Sequence, residues 1–507
     1  MTAAGPSWDD VAAWLAEPGA LSAGETAAAH VRPEIVETHT ARVFLTPEAA
    51  WKLRLPVDYG WLDYGTRARR RAAAEREVTR NAPAAPGLYL GLAGVAGPPF
   101  RLLGPGETIP ADAEPIVAMA RFPASDLFDR MAEEHRLTAK DLTETGRVVA
   151  TLHKTAPRRG RFDPGALARS EAAALDAQAG ALGDAAGRVA GRLRDRAEAL
   201  SAEARDRPCR LCHGDLHLRN IVRWRGRPAP FDCIDFDDAL AEIDPLYDLA
   251  FLTMDLRHRR LGALAAPALS SWAAAMAAEP DAEEGTAYGG LGLLRVYEGL
   301  RAAIRAKIAA LSGEAHAADG RAYLALAEDR LGPRPQGRLI AVGGRSGTGK
   351  STVAMGLASQ ADGIVLSSDR VRKGLFGTTP ESPLGTEGYT PEATRATYAA
   401  LARRATLALA APMAVVLDAT HLDAADRSSA EAIAAAAGVP FTGVWLDAPA
   451  EALRARVAAR TGDASDADLA VLERQLARDP GPVTWARVDA SADAETVQAR
   501  AAEAAGL

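Results

Sequence analysis

The stretch that most restricts the fold of this chain is a short apolar run followed by a glycine-rich loop. Leu339 to Val342 reads as a buried strand, and Gly343, Gly344, Arg345, Ser346, Gly347, Thr348, Gly349, Lys350, Ser351 and Thr352 follow it directly. Gly344 to Ser351 satisfies G-x-x-x-x-G-K-[ST] in its required setting of strand, loop and helix. Gly344, Gly347 and Gly349 let successive backbone N–H groups turn inward on phosphate oxygens, with Thr348 and Thr352 beside them. Lys350 is positioned to neutralise β- and γ-oxygens, and Ser351 to hold magnesium. Residues 338–507 are therefore expected to form an α/β domain on a parallel sheet.

The strands that follow suggest a transferase rather than a mechanical ATPase. Ile364 to Ser368 is a second strand that delivers Asp369 and Arg372 to its end, where an acid can orient an acceptor hydroxyl and a cation can hold the acceptor. A third strand ends in Asp418, resembling a Walker B acid that supports the metal; Thr420 and Arg427 follow closely enough to line the same pocket. After a fourth strand, Phe441 to Leu446, a helix carries Arg456 and Arg460, four apart, as candidates to stabilise charge on a transferring phosphoryl group.

A second constellation lies upstream, between His213 and Asp238. Asp215 and Asn220 are five residues apart, and Asp235 follows after one hairpin's length of chain. Phosphoryl transfer to a hydroxyl needs a carboxylate to accept the proton, which suits Asp215, and hard oxygen ligands for magnesium, which suit Asn220 and Asp235. His213 braces the loop. Cys209, Cys212 and His213 also spell C-x-x-C-H, a haem-attachment spacing, but the histidine is accounted for by the loop and the thiols fit a buried strand.

Before this loop, Trp51, Leu53 and Leu55 alternate with Lys52 and Arg54, so one strand face is buried and the other presents cations. Lys52 is the candidate grip on the α- and β-phosphates. The helix that follows carries Glu75 and Glu77, and in kinase-like folds such a helix supplies the acid that pairs with the strand lysine; Glu77 is preferred. The segment before Lys52 contains no glycine, so Thr38, His39 and Thr40 either cover the phosphates or leave nucleotide binding weak. Near Met119 and Ala120 the chain reads as a hinge that binds adenine through its backbone, and His153, on a later helix, as a packed core residue.

At 507 residues the chain exceeds one core, and three cysteines suggest no disulfide framework and a reducing compartment. The net charge of −7 gives no reason to expect nucleic acid or an anionic membrane as a partner. No run of apolar residues is long enough to span a bilayer, and the start lacks the marks of a signal peptide, so a cytoplasmic protein is expected. The reading divides the chain into a small lobe at 1–120, a larger lobe with a helical substrate region at 121–332, and the α/β domain at 338–507. In the helical region Arg301 and Arg305 lie four apart beside an apolar stripe and could clamp an anion, whereas Glu279, Asp281, Glu283 and Glu284 would suit a polyamine.

His213-Gly214-Asp215, Asn220, Ile234-Asp235-Phe236 and the run from Asp244 to Ala250 resemble the aminoglycoside phosphotransferase family. The C-terminal part resembles the gluconate kinase and zeta-toxin group of P-loop kinases. The joined arrangement looks like a bacterial family of bifunctional proteins built from these two parts. The resemblance implies an α+β, protein-kinase-like bilobal domain followed by a P-loop kinase domain, using ATP or GTP with Mg2+ on small-molecule hydroxyl acceptors. The residues leave a different organisation open: one half senses nucleotide, or a toxin-like P-loop kinase is restrained by the N-terminal half.

Overall fold

A computed structural model of the chain describes residues 5–21, 32–60, 62–278, 284–333, 335–379, 382–459 and 467–507. Arg460 and the acids Glu279, Asp281 and Glu283 lie outside the described residues, as does the side chain of Glu284. The chain forms two compact units, and they cut across the expected boundaries. One comprises Met1–Leu137 with Arg210–Ile243; the other comprises Thr138–Cys209 with Asp244–Leu507. The loop carrying Asp215 thus belongs with the N-terminal sheet, and the helical region belongs with the α/β domain.

The first unit is built on a six-stranded antiparallel sheet. Its strands are β1 (Glu34–Glu37), β2 (Ala41–Leu45), β3 (Ala49–Arg54), β4 (Tyr89–Ala96), β5 (Arg101–Leu103) and β6 (Glu114–Ala120), in the order β1-β2-β3-β6-β4-β5. The two-residue period of β3 divides its side chains. Trp51 and Leu53 join Val11, Leu15 and Phe44 in one core, while Ala50 joins Val117 and Met119 in another. Lys52 and Arg54 share the face of Ala50. The helix Arg67–Asn81 starts at Thr66, whose side chain accepts from Arg69 N, and Arg70 fastens it to β6 by gripping Glu114 at 2.5 and 2.8 Å. The later segment adds β7 (Arg210–Leu211), β8 (Ile221–Trp224), β9 (Arg227–Pro230) and β10 (Glu242–Ile243), paired as β8-β9 and β7-β10.

The second unit combines helices with a parallel sheet. Trp272 Nε1 donates to His153 Nδ1 at 3.0 Å, which leaves Nε2–H to donate to Asp248 at 3.0 Å, so His153 is a core residue of the helical part. The sheet contains β11 (Arg338–Gly344), β12 (Ile364–Ser367), β13 (Ala414–Asp418), β14 (Phe441–Asp447) and β15 (Ala486–Asp489), in the order β12-β13-β11-β14-β15, parallel throughout. Its central strands β11 and β13 are buried along almost their whole length because both faces are covered, whereas the edge strand β15 buries only Val488. Ile340, Val342, Leu357, Val416 and Val444 share one core with Ala266 of the helix Ala265–Met276. All three cysteines are buried and none forms a disulfide. No helix among the described residues is long and apolar enough to cross a membrane.

Candidate active sites

In the first unit, β3 and the helix Arg67–Asn81 bring Lys52 Nζ to 3.0 Å from Glu77 Oε1, with Glu77 fully buried. Glu77 rather than the exposed Glu75 is the partner. A third group completes the cluster: Asp232 Oδ1 lies 2.6 Å from Lys52. Burial alone would lower the lysine's pKa, but the carboxylates of Asp232 and Glu77 outweigh it and hold the ammonium above its ordinary value. Asp232 shows the converse: burial opposes its charge, yet Lys52 overrides this and keeps the carboxyl below its usual range.

The expectation for Asp235 needs correction. Its carboxylate is held by Arg54 and accepts from Tyr64 at 3.1 Å, while Arg54 also bonds Glu77. Asp235 therefore neutralises the second cation of β3, and Asp232 is the acid beside the first. Asp232 has φ 57, a left-handed conformation unusual outside glycine and frequent at functional sites. Tyr89 accepts its N–H at 3.1 Å, and Asn81 accepts that of Cys233 at 3.0 Å, so the end of the Glu77 helix fixes this turn.

Asp215 presents a side chain that is 39% exposed. Asn220 Nδ2 donates to its Oδ2 at 2.8 Å and to its backbone carbonyl at 3.0 Å. His213 accepts the Asp215 N–H at 3.3 Å, and its other nitrogen meets Phe231 O at 2.9 Å, which is the bracing expected of it. The glycine-free turn is closed by its own threonine: Thr38 Oγ1 accepts from Ala41 N at 3.0 Å and donates to Ala41 O at 2.9 Å. That hydroxyl is engaged inside the turn.

These geometries separate the two nearby acids experimentally. Asp232→Asn is expected to lower turnover by this half about 100-fold or more, by removing the carboxylate that stands closest to Lys52. Asp235→Asn is expected to act mainly through stability, because it removes one of the two carboxylates that pair with the buried Arg54. Equal rate losses with unchanged melting temperatures would contradict the division.

In the second unit, the C-terminal edge of the parallel sheet carries the chemistry. Gly344 has φ 139 and Gly347 φ 87, and a Cβ would meet Leu446 O at 2.4 Å at the first and Leu453 O at 3.0 Å at the second, so both conformation and space require glycine. Lys350 Nζ donates to Arg345 O at 3.0 Å, and Ser351 Oγ donates to Asp418 Oδ2 at 2.8 Å. Register puts Ser367 of β12 and Val342 of β11 level with Asp418. Burial raises the Asp418 carboxyl, offset in part by Lys350 and the Ser351 hydroxyl.

A cavity of about 290 Å³ joins the loop, Asp369 and Asp418 to a wall rich in hydroxyls and acids, including Tyr389, Thr394, Tyr398, Thr420, Asp423 and Asp426. Arg372 borders it, donating to Gly388 O at 2.6 Å and lying over the Tyr389 ring, with its buried Nε lacking a hydrogen-bond partner among the described residues. Burial, with Asp423 beside it, pushes the Asp426 carboxyl up to about 6. A carboxyl raised on folding stabilises fully below its unfolded value of 3.8, and that contribution is lost as pH rises through 6. Asp426→Asn is therefore expected to flatten the melting-temperature profile across that window and to raise the value at pH 7 by roughly a degree or two. A value at pH 7 no higher than wild type would contradict this.

Several expected ligands are placed elsewhere. Arg427 is buried, and its guanidinium donates to the carbonyls of His421, Leu422, Pro480 and Pro482, so it supports loops and does not line the cavity. Arg456 donates to Ala490 O at 2.8 Å and reaches Gly347 O at 3.5 Å, holding the back of the phosphate-binding loop. Arg301 and Arg305 do not converge. Arg301 is buried over the Tyr247 ring at 3.9 Å, and Arg305 lies over Tyr323 at 5.7 Å. His421 was not anticipated: burial, then Lys350 and Arg427, lower its pKa to about 3, so it is neutral and packs edge-on to Trp485.

Residues 64–287 match the Phosphotransferase enzyme family, and residues 339–482 match the AAA domain family. Over 493 residues the chain is 30% identical to an uncharacterized protein of Mycobacterium tuberculosis, covering 91% of this chain and 93% of the relative. Among solved structures it is similar to a gluconokinase from Sinorhizobium meliloti, with 26% identity over 34% of this chain and 94% of that one and a TM-score of 0.26. A choline/ethanolamine kinase family protein from Mesorhizobium loti shares 16% identity over 64% of this chain and 99% of that one, with a TM-score of 0.38.

Proposed function

The chain belongs to a bacterial family that joins an aminoglycoside-phosphotransferase-like domain to a P-loop kinase domain, and from this premise we propose that both halves of this ATP-dependent kinase transfer phosphate independently. The observation that carries the reading is duplication: each unit has its own lysine for phosphate and its own carboxylates beside it. Lys52 stands with Asp232 in one, and Lys350 with Asp418 and Asp369 in the other.

In the first half, Lys52 binds the α- and β-phosphates, oriented by Glu77, and Asp215 accepts the proton of the attacking hydroxyl. In the second, the loop N–H groups and Lys350 cradle the β- and γ-phosphates while Asp369 orients the acceptor. The oxygen donors fit magnesium in both places: Asp232 and Asn220 in one, the Ser351 hydroxyl with Asp418 in the other. Magnesium would there offset phosphate charge. The hydroxyl- and acid-rich wall around Asp369 suits a polyhydroxylated, sugar-like acceptor, because such a wall exchanges hydrogen bonds with several hydroxyls at once.

Equilibrium dialysis with radiolabelled ATP and magnesium tests the duplication without any acceptor. Two nucleotides per chain are expected, falling to one in Lys52→Met and to one in Lys350→Ala. A wild-type stoichiometry of one would contradict it. The closed, glycine-free turn at Thr38 favours a second reading, in which the first half binds nucleotide weakly and regulates the other. That reading expects the Lys52 variant to alter turnover by the P-loop half.

A further inference from the structure

Within the second unit, four side chains tie the helical part to the back of the phosphate-binding domain. Glu298, fully buried on the helix Leu294–Leu311, accepts from Arg257 at 3.0 Å and pairs with Arg330 at 2.7 Å. Both arginines also bond Asp362, Arg330 at 2.9 Å, and Asp362 directly follows the helix that begins at Lys350. Two cations and two carboxylates balance. Burial opposes the charge of Asp362, but the two arginines override it and keep the carboxyl below its ordinary range.

The cluster borders a cavity of about 350 Å³, and two further arginines line it. Neither makes a hydrogen bond to a carboxylate among the described residues; Arg295 Nη2 donates to the Asp329 carbonyl at 2.7 Å. Arg295 approaches Asp329 only at 3.8 Å, shares that acid with Arg330, and keeps a buried Nε without a hydrogen-bond partner among the described residues. Arg338 donates only to backbone, to Ala505 O at 3.2 Å and Gly506 O at 3.5 Å. Burial and the nearby Arg330 disfavour the Arg295 charge by more than Asp329, Asp362 and Glu298 favour it, so an anion in the cavity would relieve it. The remaining wall is apolar, with Leu269, Leu294 and Met413 contributing to it.

We propose that this cavity binds a small amphiphilic anion, a phosphate or carboxylate carried on an apolar body, with Arg295 and Arg338 receiving the anionic group. Its volume lies in the range of small-molecule sites. It is separate from the transfer site: the helix Lys350–Gln360 has the phosphate-binding loop at one end and Asp362 beyond the other, about 16 Å away. The ligand is therefore not the reactant of the transfer site.

Titration calorimetry on the full chain, with saturating Mg-ADP to occupy the nucleotide sites, tests this with octyl phosphate, octanoate and octanol. Both anions are expected to bind, octanol at least tenfold more weakly, and the tighter anion identifies the headgroup. Arg295→Gln is expected to weaken the tighter anion about tenfold, the loss of one charge-assisted hydrogen bond. Gln336→Glu supplies a second variant that does not disturb packing, because Gln336 is exposed at the cavity lining; it is expected to weaken the anions and spare octanol. Octanol binding as tightly as the anions, or anion affinity unchanged in both variants, would overturn the proposal.

Discussion

Asp215→Asn is expected to lower kcat of the N-terminal half by about 100- to 10,000-fold, the usual contribution of a positioned general base. The substitution is isosteric, and an asparagine oxygen can still accept from Asn220, so the loop held by His213 stays in place. The proton acceptor is lost, together with the charge that faces His217 Nε2 at 3.3 Å. Nucleotide affinity is expected to remain within about twofold, since Lys52 keeps its ion pairs with Glu77 and Asp232 in the variant. Single-turnover kinetics with an identified acceptor measure both quantities. A loss below tenfold would remove Asp215 from the proton-transfer role.

Lys350→Ala is expected to reduce turnover by the C-terminal half by about 100- to 1,000-fold or more, because it removes the cation the loop places on the transferring phosphate. Its structural cost is small: Lys350 opens its helix, and alanine is a strong helix former. The N-terminal half is expected to keep its rate. Unchanged C-terminal turnover would contradict the phosphate-binding role, and loss of both activities with an intact melting transition would contradict independent sites.

How far the sequence revealed these sites depends on how local each constraint is. The phosphate-binding loop was fully legible, since its backbone needs glycine at 344 and 347 whatever surrounds it. Lys52 and Glu77 were legible from the two-residue strand period and the helix that follows. Asp232, the acid beside Lys52, was not singled out; the one signal was that Arg54 shares the Lys52 face, so a second cation stands ready to hold Asp235. Arg427 misled because closeness in sequence to Asp418 does not decide which way a guanidinium points, and Arg301 because spacing says which stripe it occupies and nothing of what faces it. One met backbone carbonyls and the other a tyrosine ring. The division into units was hidden for a similar reason, since Arg210–Ile243 packs with residues far earlier in the chain while its strands form two small sheets of their own.

The central claim is two independent phosphotransferases in one chain. Its most direct test is nucleotide consumption by wild type, Asp215→Asn and Lys350→Ala against panels of sugars, aminoglycosides and nucleotide sugars with magnesium. The account predicts that each variant loses a different acceptor and keeps the other. If Lys350→Ala abolished turnover of every acceptor while Asp215→Asn spared them all, the first half would not be a phosphotransferase and the account would be wrong.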